Sequence, residues 1–229
     1  MIVILGAMES EIAAFLTLLQ NKQSQTRHGI EEHRGQLAGK EVLVSRSGVG
    51  KAMAAMRAQH FIDTLQPEAL LFTGLAGSLR PHIAIGDTVL ARDLVQHDFT
   101  GIDDNHPRGE IPFTGLRYLN TDPELLKIAS SFVSAEGKVH LGRICTGDQF
   151  ISHRDLASHA YLVHELEGDA VEMEGAAIAL VCTLNQIPFL VARTISDEAN
   201  GAAAVSFAEF LPRASDNSLA LVQHILAAL

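Results

Sequence analysis

The sequence predicts an α/β protein, a single-domain three-layer α/β/α sandwich around a mixed central β-sheet spanning residues 1–229. Three observations predict it. Short apolar runs alternate with longer amphipathic stretches along the chain. Hydrophobic residues make up 47% of the 229 positions and charged residues only 19%, too apolar for disorder and sufficient for a large core. No internal repeat or low-complexity segment interrupts the pattern.

The elements follow in order. Ile2–Leu5 reads as a buried strand and Glu9–Gln20 as a helix. His33–Leu37 and Glu41–Ser45 form a strand pair around Ala38-Gly39-Lys40. Gly50–Leu65 is a helix whose apolar side is given by Met53, Met56, His60 and Phe61, with Pro67 beyond its end. Ala69–Thr73 is a buried strand running into Gly74-Leu-Ala-Gly77, and Asp87–Val95 a longer strand. His97–Arg117, rich in Gly, Pro, Asp and Asn, reads as a long functional loop. Thr121-Asp-Pro-Glu124 opens a helix with a polar cap, an early proline and a first-turn acid. Strands are then expected at Val139–Cys145, Asp169–Glu172 and Pro188–Ile195, with helices at His153–His164 and Glu174–Leu184. Ser206-Phe-Ala-Glu209 reads as a capping box opening the final helix, which Pro212 should kink or restart.

Charge excludes several functions. With 17 Lys+Arg against 27 Asp+Glu the net charge is −10, which disfavours nucleic acid and anionic membranes as partners. No apolar run approaches the roughly 18 residues that span a bilayer. The apolar start, Met1 to Met8, has no basic n-region and is followed at once by Glu9 and Glu11, unlike an export signal. Two cysteines, Cys145 and Cys182, are too few for a disulfide scaffold and lack zinc spacing. The expectation is a soluble cytoplasmic protein.

Chemistry in such folds gathers where strands end. Gly6-Ala-Met-Glu-Ser-Glu11, Ser47-Gly-Val-Gly-Lys51, Thr73-Gly-Leu-Ala-Gly77 and Thr194-Ile-Ser-Asp197 each leave a predicted strand and turn polar or glycine-rich. Ser47–Lys51 resembles a phosphate-binding loop, but Ser45 and Ala52 stand where the pattern needs glycine and Ser/Thr. Glu11, Glu172, Glu174 and Asp197 lie just past apolar strands. Singly, each could merely complement a helix N-terminus; together at one sheet edge they would suit acid/base work. His97-Asp98 is a weak ligand pair with no HExxH or HxxxH beside it, so no metal site is expected. No GxSxG elbow occurs, and neither cysteine has an evident base, which disfavours a serine or cysteine nucleophile.

Taken together these segments, with Ile85-Gly-Asp87, Gly147-Asp-Gln-Phe-Ile151, Val171-Glu-Met-Glu174, Arg193-Thr-Ile-Ser-Asp197 and Ser206-Phe207, resemble the 5′-methylthioadenosine/S-adenosylhomocysteine nucleosidases of the nucleoside phosphorylase superfamily. The set covers essentially the whole chain in the family's order. The resemblance implies a nucleoside phosphorylase-like fold and hydrolysis of an N-glycosidic bond that releases adenine and a 5′-thioribose. It implies Asp197 as general acid at adenine N7 and Glu11 as the base that activates water. Glu174 would bind the ribose hydroxyls, with Met173 against the sugar and Arg193, Glu172 and Ser196 nearby. Phe150 would stack on the purine, the Ile151 backbone would read its edge, and Gly77 would line the pocket. Met8, Val49 and Phe207 would cup the 5′-alkylthio group.

The resemblance further implies no cofactor, a homodimer contacting through the loop around Phe99, Ile102 and Pro112, and a place in methionine salvage and nucleoside catabolism. Phosphorylases of the superfamily carry an arginine after the first strand; Glu9 and Glu11 stand there instead and favour water over phosphate. Two departures bear on substrate preference. Leu75 replaces the serine of a Thr-Gly-Ser-Ala-Gly pattern, and the loop 96–112 differs from the better-known His-Asp-x-Asp version. Futalosine or aminofutalosine is the alternative substrate; a phosphorylase and a non-catalytic nucleoside-binding module are the other readings.

Overall fold

The computed structural model describes residues 1–27, 29–100, 106–151, 157–198 and 203–229, with the side chains of 198 and 203–211 outside that description. The first strand, β1 (Ile2–Gly6), is buried along its whole length because both faces of the sheet are covered. It pairs in parallel with β4 (Lys40–Arg46) on one side and β5 (Ala69–Ser78) on the other. From β4 the sheet extends antiparallel through β3 (Ile30–Leu37) to β2 (Gln20–Arg27).

On its other side β5 pairs with both β9 (Ala170–Glu172) and β10 (Phe189–Glu198). The path from β9 runs through β8 (Val139–Thr146) and β6 (Thr88–Gln96) back to β10. The mixed sheet therefore curls until five of its strands close a ring, with the two-residue β7 (Leu119–Asn120) pairing to β6. Closure leaves the ring without free strand edges and brings the ends of β5, β9 and β10 together.

Period-two alternation divides the core into layers. Val3, Leu5, Leu43, Leu70 and Phe72 pack on one face with α2 (Lys51–Leu65) and α5 (Gly175–Asn185). Ile2, Ile4, Val42, Val44 and Leu71 pack on the other with α1 (Glu9–Leu18), α3 (Pro123–Ser130) and the C-terminal part of α6 (Ala203–Ala228). A third cluster, Leu79, Val95, Cys145 and Leu166 among it, lies under the single turn α4 (Tyr161–His164). The expected sandwich is present. Asp122 caps α3 as its spacing predicts, accepting from the N–H groups of Glu124 and Leu125.

Five expectations need correction. The strand β2 was not anticipated: its sequence, Gln-Asn-Lys-Gln-Ser-Gln-Thr-Arg, carries no apolar residue, and it forms by pairing alone at an exposed edge. Met53 and Met56 are exposed; α2 instead buries Ala54, Ala58, Phe61, Ile62 and Arg57, whose Nη2 donates to Glu32 and Ser45 inside the molecule. Gly74 to Gly77 belong to β5 rather than to a loop after it. Within 153–164 only the last turn is an α-helix among the described residues. The final helix starts at Ala203, so Ser206 stands inside it, and Pro212 is accommodated without ending it.

Candidate active site

Where β1 turns into α1, Glu11 occupies the third helical position and its carboxylate reaches back. Oε2 accepts from the N–H groups of Ala7 at 2.6 Å and Met8 at 2.9 Å, and Oε1 accepts from Leu75 at 3.0 Å. The helix-capping role and a place in a site thus coexist in one side chain. Burial pushes the Glu11 carboxyl above its ordinary range, against the pull of Arg193 and of those three N–H groups. Gly74 makes the approach possible: a Cβ there would lie 2.3 Å from Arg193 Nη1 and 2.5 Å from Glu11 Oε1.

Glu172 and Glu174 bracket the start of α5 but have different partners. Both oxygens of Glu172 accept from Gly175 N–H, at 2.9 and 2.8 Å. The Thr146 hydroxyl and Arg193 Nη2 also bond to Glu172, and Glu174 N–H adds a contact at 3.0 Å. Glu174 is held by Gly50 N–H at 2.8 Å and faces Arg193 Nη2 at 3.6 Å. Burial, with Glu172 beside it, pushes Glu174 up to about 7, although Arg193 and Gly50 pull the other way. Arg193 is 1% exposed, with its guanidinium 3.9 Å over the Phe72 ring. Burial works to discharge it, but Glu172, Glu11 and Glu174 outweigh that and raise its pKa.

Asp197 owes its position to a bulge. Ile195 pairs with Ala76 and Asp197 with Gly77, so Ser196 is an extra residue in β10. The Ser196 hydroxyl donates to Asp197 Oδ1 at 2.9 Å, while Oδ2 is buried without a hydrogen-bond partner among the described residues. Gly77 keeps space there, since a Cβ would lie 3.3 Å from Oδ2. Burial pushes Asp197 above the usual carboxylate range, and the Ser196 bond opposes that. A carboxyl so placed is suited to hold a proton and donate it.

The four carboxylates line one cavity of about 180 Å³. Of the residues anticipated from the sequence, Met8, Glu11, Val49, Gly77, Phe150 and Ile151 form part of its wall. Glu172, Met173, Glu174, Ser196 and Asp197 complete that set. Arg193 lies behind the wall, and the Phe207 side chain falls outside the described residues. Ala7, Leu75, Ala76, Gln149 and Val171 also line the cavity. All but Val171 sit inside the glycine-bearing motifs, where the sequence could have offered them. Thr146, the buried hydroxyl that bonds Glu172 and the Ala176 N–H, had no such signal.

The glycines of Ser47-Gly-Val-Gly-Lys51 take positive φ, +82° at Gly48 and +89° at Gly50. The N-terminus of α2 that a phosphate-binding loop would offer to phosphate is occupied by carboxylates. Gly50 N–H donates to Glu174, and Lys51 N–H donates to Asp148 Oδ1 at 2.8 Å. The His97-Asp98 pair is divided. His97 meets the Tyr161 hydroxyl at 3.0 Å, and burial lowers its pKa to about 4. Asp98 accepts from Lys51 Nζ at 2.6 Å and from Asp148 N–H at 2.9 Å, with Lys51 Nζ 3.8 Å from Asp148 Oδ2. Lys51, Asp98 and Asp148 thereby clasp three loops at the cavity mouth. Both cysteines are buried; burial raises Cys145 and pushes Cys182 up to about 12, so neither is a ready nucleophile.

Residues 1–227 match the phosphorylase superfamily. A 5′-methylthioadenosine/S-adenosylhomocysteine nucleosidase from Shewanella sediminis is 38% identical over 225 residues, 97% of each chain. The structure of the same nucleosidase from Streptococcus pneumoniae with a transition-state inhibitor is 36% identical. It aligns with a TM-score of 0.91, covering 99% of this chain and 98% of that one. A futalosine hydrolase mutant from Helicobacter pylori, 32% identical, also aligns at 0.91, covering 100% and 99%. With the carboxylate-lined cavity at the closed end of the sheet, these likenesses establish the lineage: the chain belongs to the 5′-methylthioadenosine/S-adenosylhomocysteine nucleosidase family of the phosphorylase superfamily.

Proposed function

We propose that this enzyme hydrolyses the N-glycosidic bond of 5′-methylthioadenosine and S-adenosylhomocysteine, releasing adenine and the 5′-thioribose. The observation that carries the reading is the convergence of Glu11, Glu174 and Asp197, from three separate parts of the chain, on one cavity. Bond cleavage builds positive charge on the ribose and negative charge on the base. Asp197, its Oδ2 unpartnered among the described residues, donates a proton to the purine N7 and neutralises the leaving group. Glu11, fixed by three backbone N–H groups, orients a water and takes its proton. Glu174 holds the ribose hydroxyls and offsets the developing cation. Glu172 and Arg193 position Glu174 from behind.

Phe150 stacks on the neutral purine, with Ile151 at its edge and Gly77 leaving space beside Asp197. Met8, Val49 and Met173 supply the apolar wall for the sugar and thioether. Among the described residues the cavity lining has four carboxylates and no Lys or Arg, which opposes a phosphate dianion and favours water. The enzyme works in the cytoplasm as a homodimer, consistent with a fully exposed Phe113 beside Pro112; no helix among the described residues is long and apolar enough to cross a membrane.

The test is release of the free purine base by purified protein, adenine from methylthioadenosine and S-adenosylhomocysteine and hypoxanthine from futalosine, each with and without phosphate. Phosphate-independent release of adenine from the first two is expected. A 5-substituted ribose 1-phosphate formed only with phosphate would show a phosphorylase, and ligand-induced stabilisation without turnover would show a binding module. Hydrolysis of futalosine or aminofutalosine is the second reading, favoured by the alignment with the Helicobacter pylori futalosine hydrolase mutant. Turnover of futalosine alone would select it.

A further inference from the structure

We infer that Glu9, Glu31 and His33 form a binding site for a divalent transition-metal ion of the zinc type, outside the catalytic cavity. Glu31 and His33 are two apart on β3 and so share a face of the strand, while Glu9 comes from the first turn of α1. One ligand atom from each lies within 4.8 Å of the others, and His33 Nε2 is 3.6 Å from Glu31 Oε2. A tetrahedral zinc ion with bonds of about 2.0–2.2 Å sets its ligand atoms about 3.4 Å apart, so small side-chain adjustments close the shell. A fourth position remains for water.

The imidazole carries the inference further than two exposed acids could. The His33 side chain is 6% exposed, and its Nε2 is buried with no hydrogen-bond partner among the described residues, 3.6 Å from the Glu31 carboxylate. Its other nitrogen, Nδ1, lies 2.8 Å from the Ser24 hydroxyl on β2. With Nδ1–H donated to Ser24, the Nε2 lone pair is free for a cation, the arrangement by which an outer partner orients a metal-bound histidine. Among the described residues the cation paired with Glu9 is Arg46, whose Nε stands 4.0 Å from Oε2 in a solvent-exposed contact that a bound ion would displace. Two carboxylates and one imidazole suit zinc, manganese or cobalt better than calcium or magnesium.

The ion takes no part in the hydrolysis. It fastens the first turn of α1, which presents Met8 and Glu11 to the cavity, to the otherwise polar edge hairpin of β2 and β3. Sequence patterns could not show it, because the Glu31-x-His33 spacing completes no metal motif and the third ligand is 22 residues away.

The test is titration of untagged, chelator-treated protein with zinc chloride, followed by calorimetry and by thermal unfolding. One saturable site is expected, with an upward shift of Tm. Glu31→Gln, a surface change that leaves folding intact, and His33→Gln should each abolish both signals. Ser24→Ala should weaken binding about 10- to 100-fold. Absence of saturable binding at millimolar zinc, or undiminished affinity in Glu31→Gln, would overturn the site even if His33→Gln failed to fold.

Discussion

On the floor of the cavity Glu11, Glu174 and Asp197 are at most 5% exposed, and each is held by partners close at hand in the fold. On the rim Val49 is 53% and Phe150 57% exposed, and their loops are joined by the partly exposed clasp of Lys51, Asp98 and Asp148. The contrast separates two tasks. Groups that must hold or move a proton sit in low dielectric on rigid strand ends, where a small displacement is costly. Groups that only bind an apolar substrate face solvent, where a loop can close over the ligand.

If the division holds, substitutions in the floor should damage turnover or stability, and those in the rim should damage binding. Asp197→Asn removes the proton donor while keeping the shape. We expect kcat to fall about 10²–10⁴-fold with an unchanged circular dichroism spectrum, and near-normal turnover would remove Asp197 from the mechanism. Arg193→Met strands Glu172 beside Glu174 without a cation; urea unfolding should show a loss of about 3–5 kcal/mol.

The third expectation concerns pH. Glu174 has its folded pKa raised from 4.5 to about 7, so between those values the folded state binds a proton that the unfolded state has lost. The group's contribution to stability is therefore complete below about pH 4.5 and declines as pH rises to about 7. Unfolding midpoints across that range should fall in the wild type relative to Glu174→Gln; parallel profiles would count against the shift. The smallest effect belongs to the rim. Lys51→Met should raise KM about tenfold and leave kcat within about twofold, because it loosens the Phe150 wall without touching the carboxylates. Equal losses in kcat and kcat/KM would erase the distinction between rim and floor.

Buried strands were legible because β1, β5 and β10 are apolar runs bounded by glycine or acids, and their number and order suffice for the sandwich. The polar β2 carries no periodic signal, since its partner supplies the pairing and neither face is buried. On α2 hydropathy picked out the methionines, whereas the packed face is set by small residues and by an arginine made tolerable by Glu32 and Ser45. At the site, the anticipated carboxylates fell in recognisable motifs. Thr146 and the clasp did not, because a hydroxyl or a lysine acquires its meaning from partners 26 to 97 residues away. Ring closure of the sheet likewise depends on β10 pairing to two strands at once, a fact about space with no local signature.

The single surplus residue at Ser196 has a consequence for how this site can vary. Side chains on a strand alternate, so whether Asp197 looks into the cavity is a matter of odd or even count along β10. Deleting Ser196, the one residue between Ile195 and Asp197, would conserve the aspartate but lose the hydroxyl that bonds its Oδ1, and would turn the acid toward the opposite face. The acid is specified by parity as much as by identity, and length changes in this strand would be more damaging than most substitutions in it.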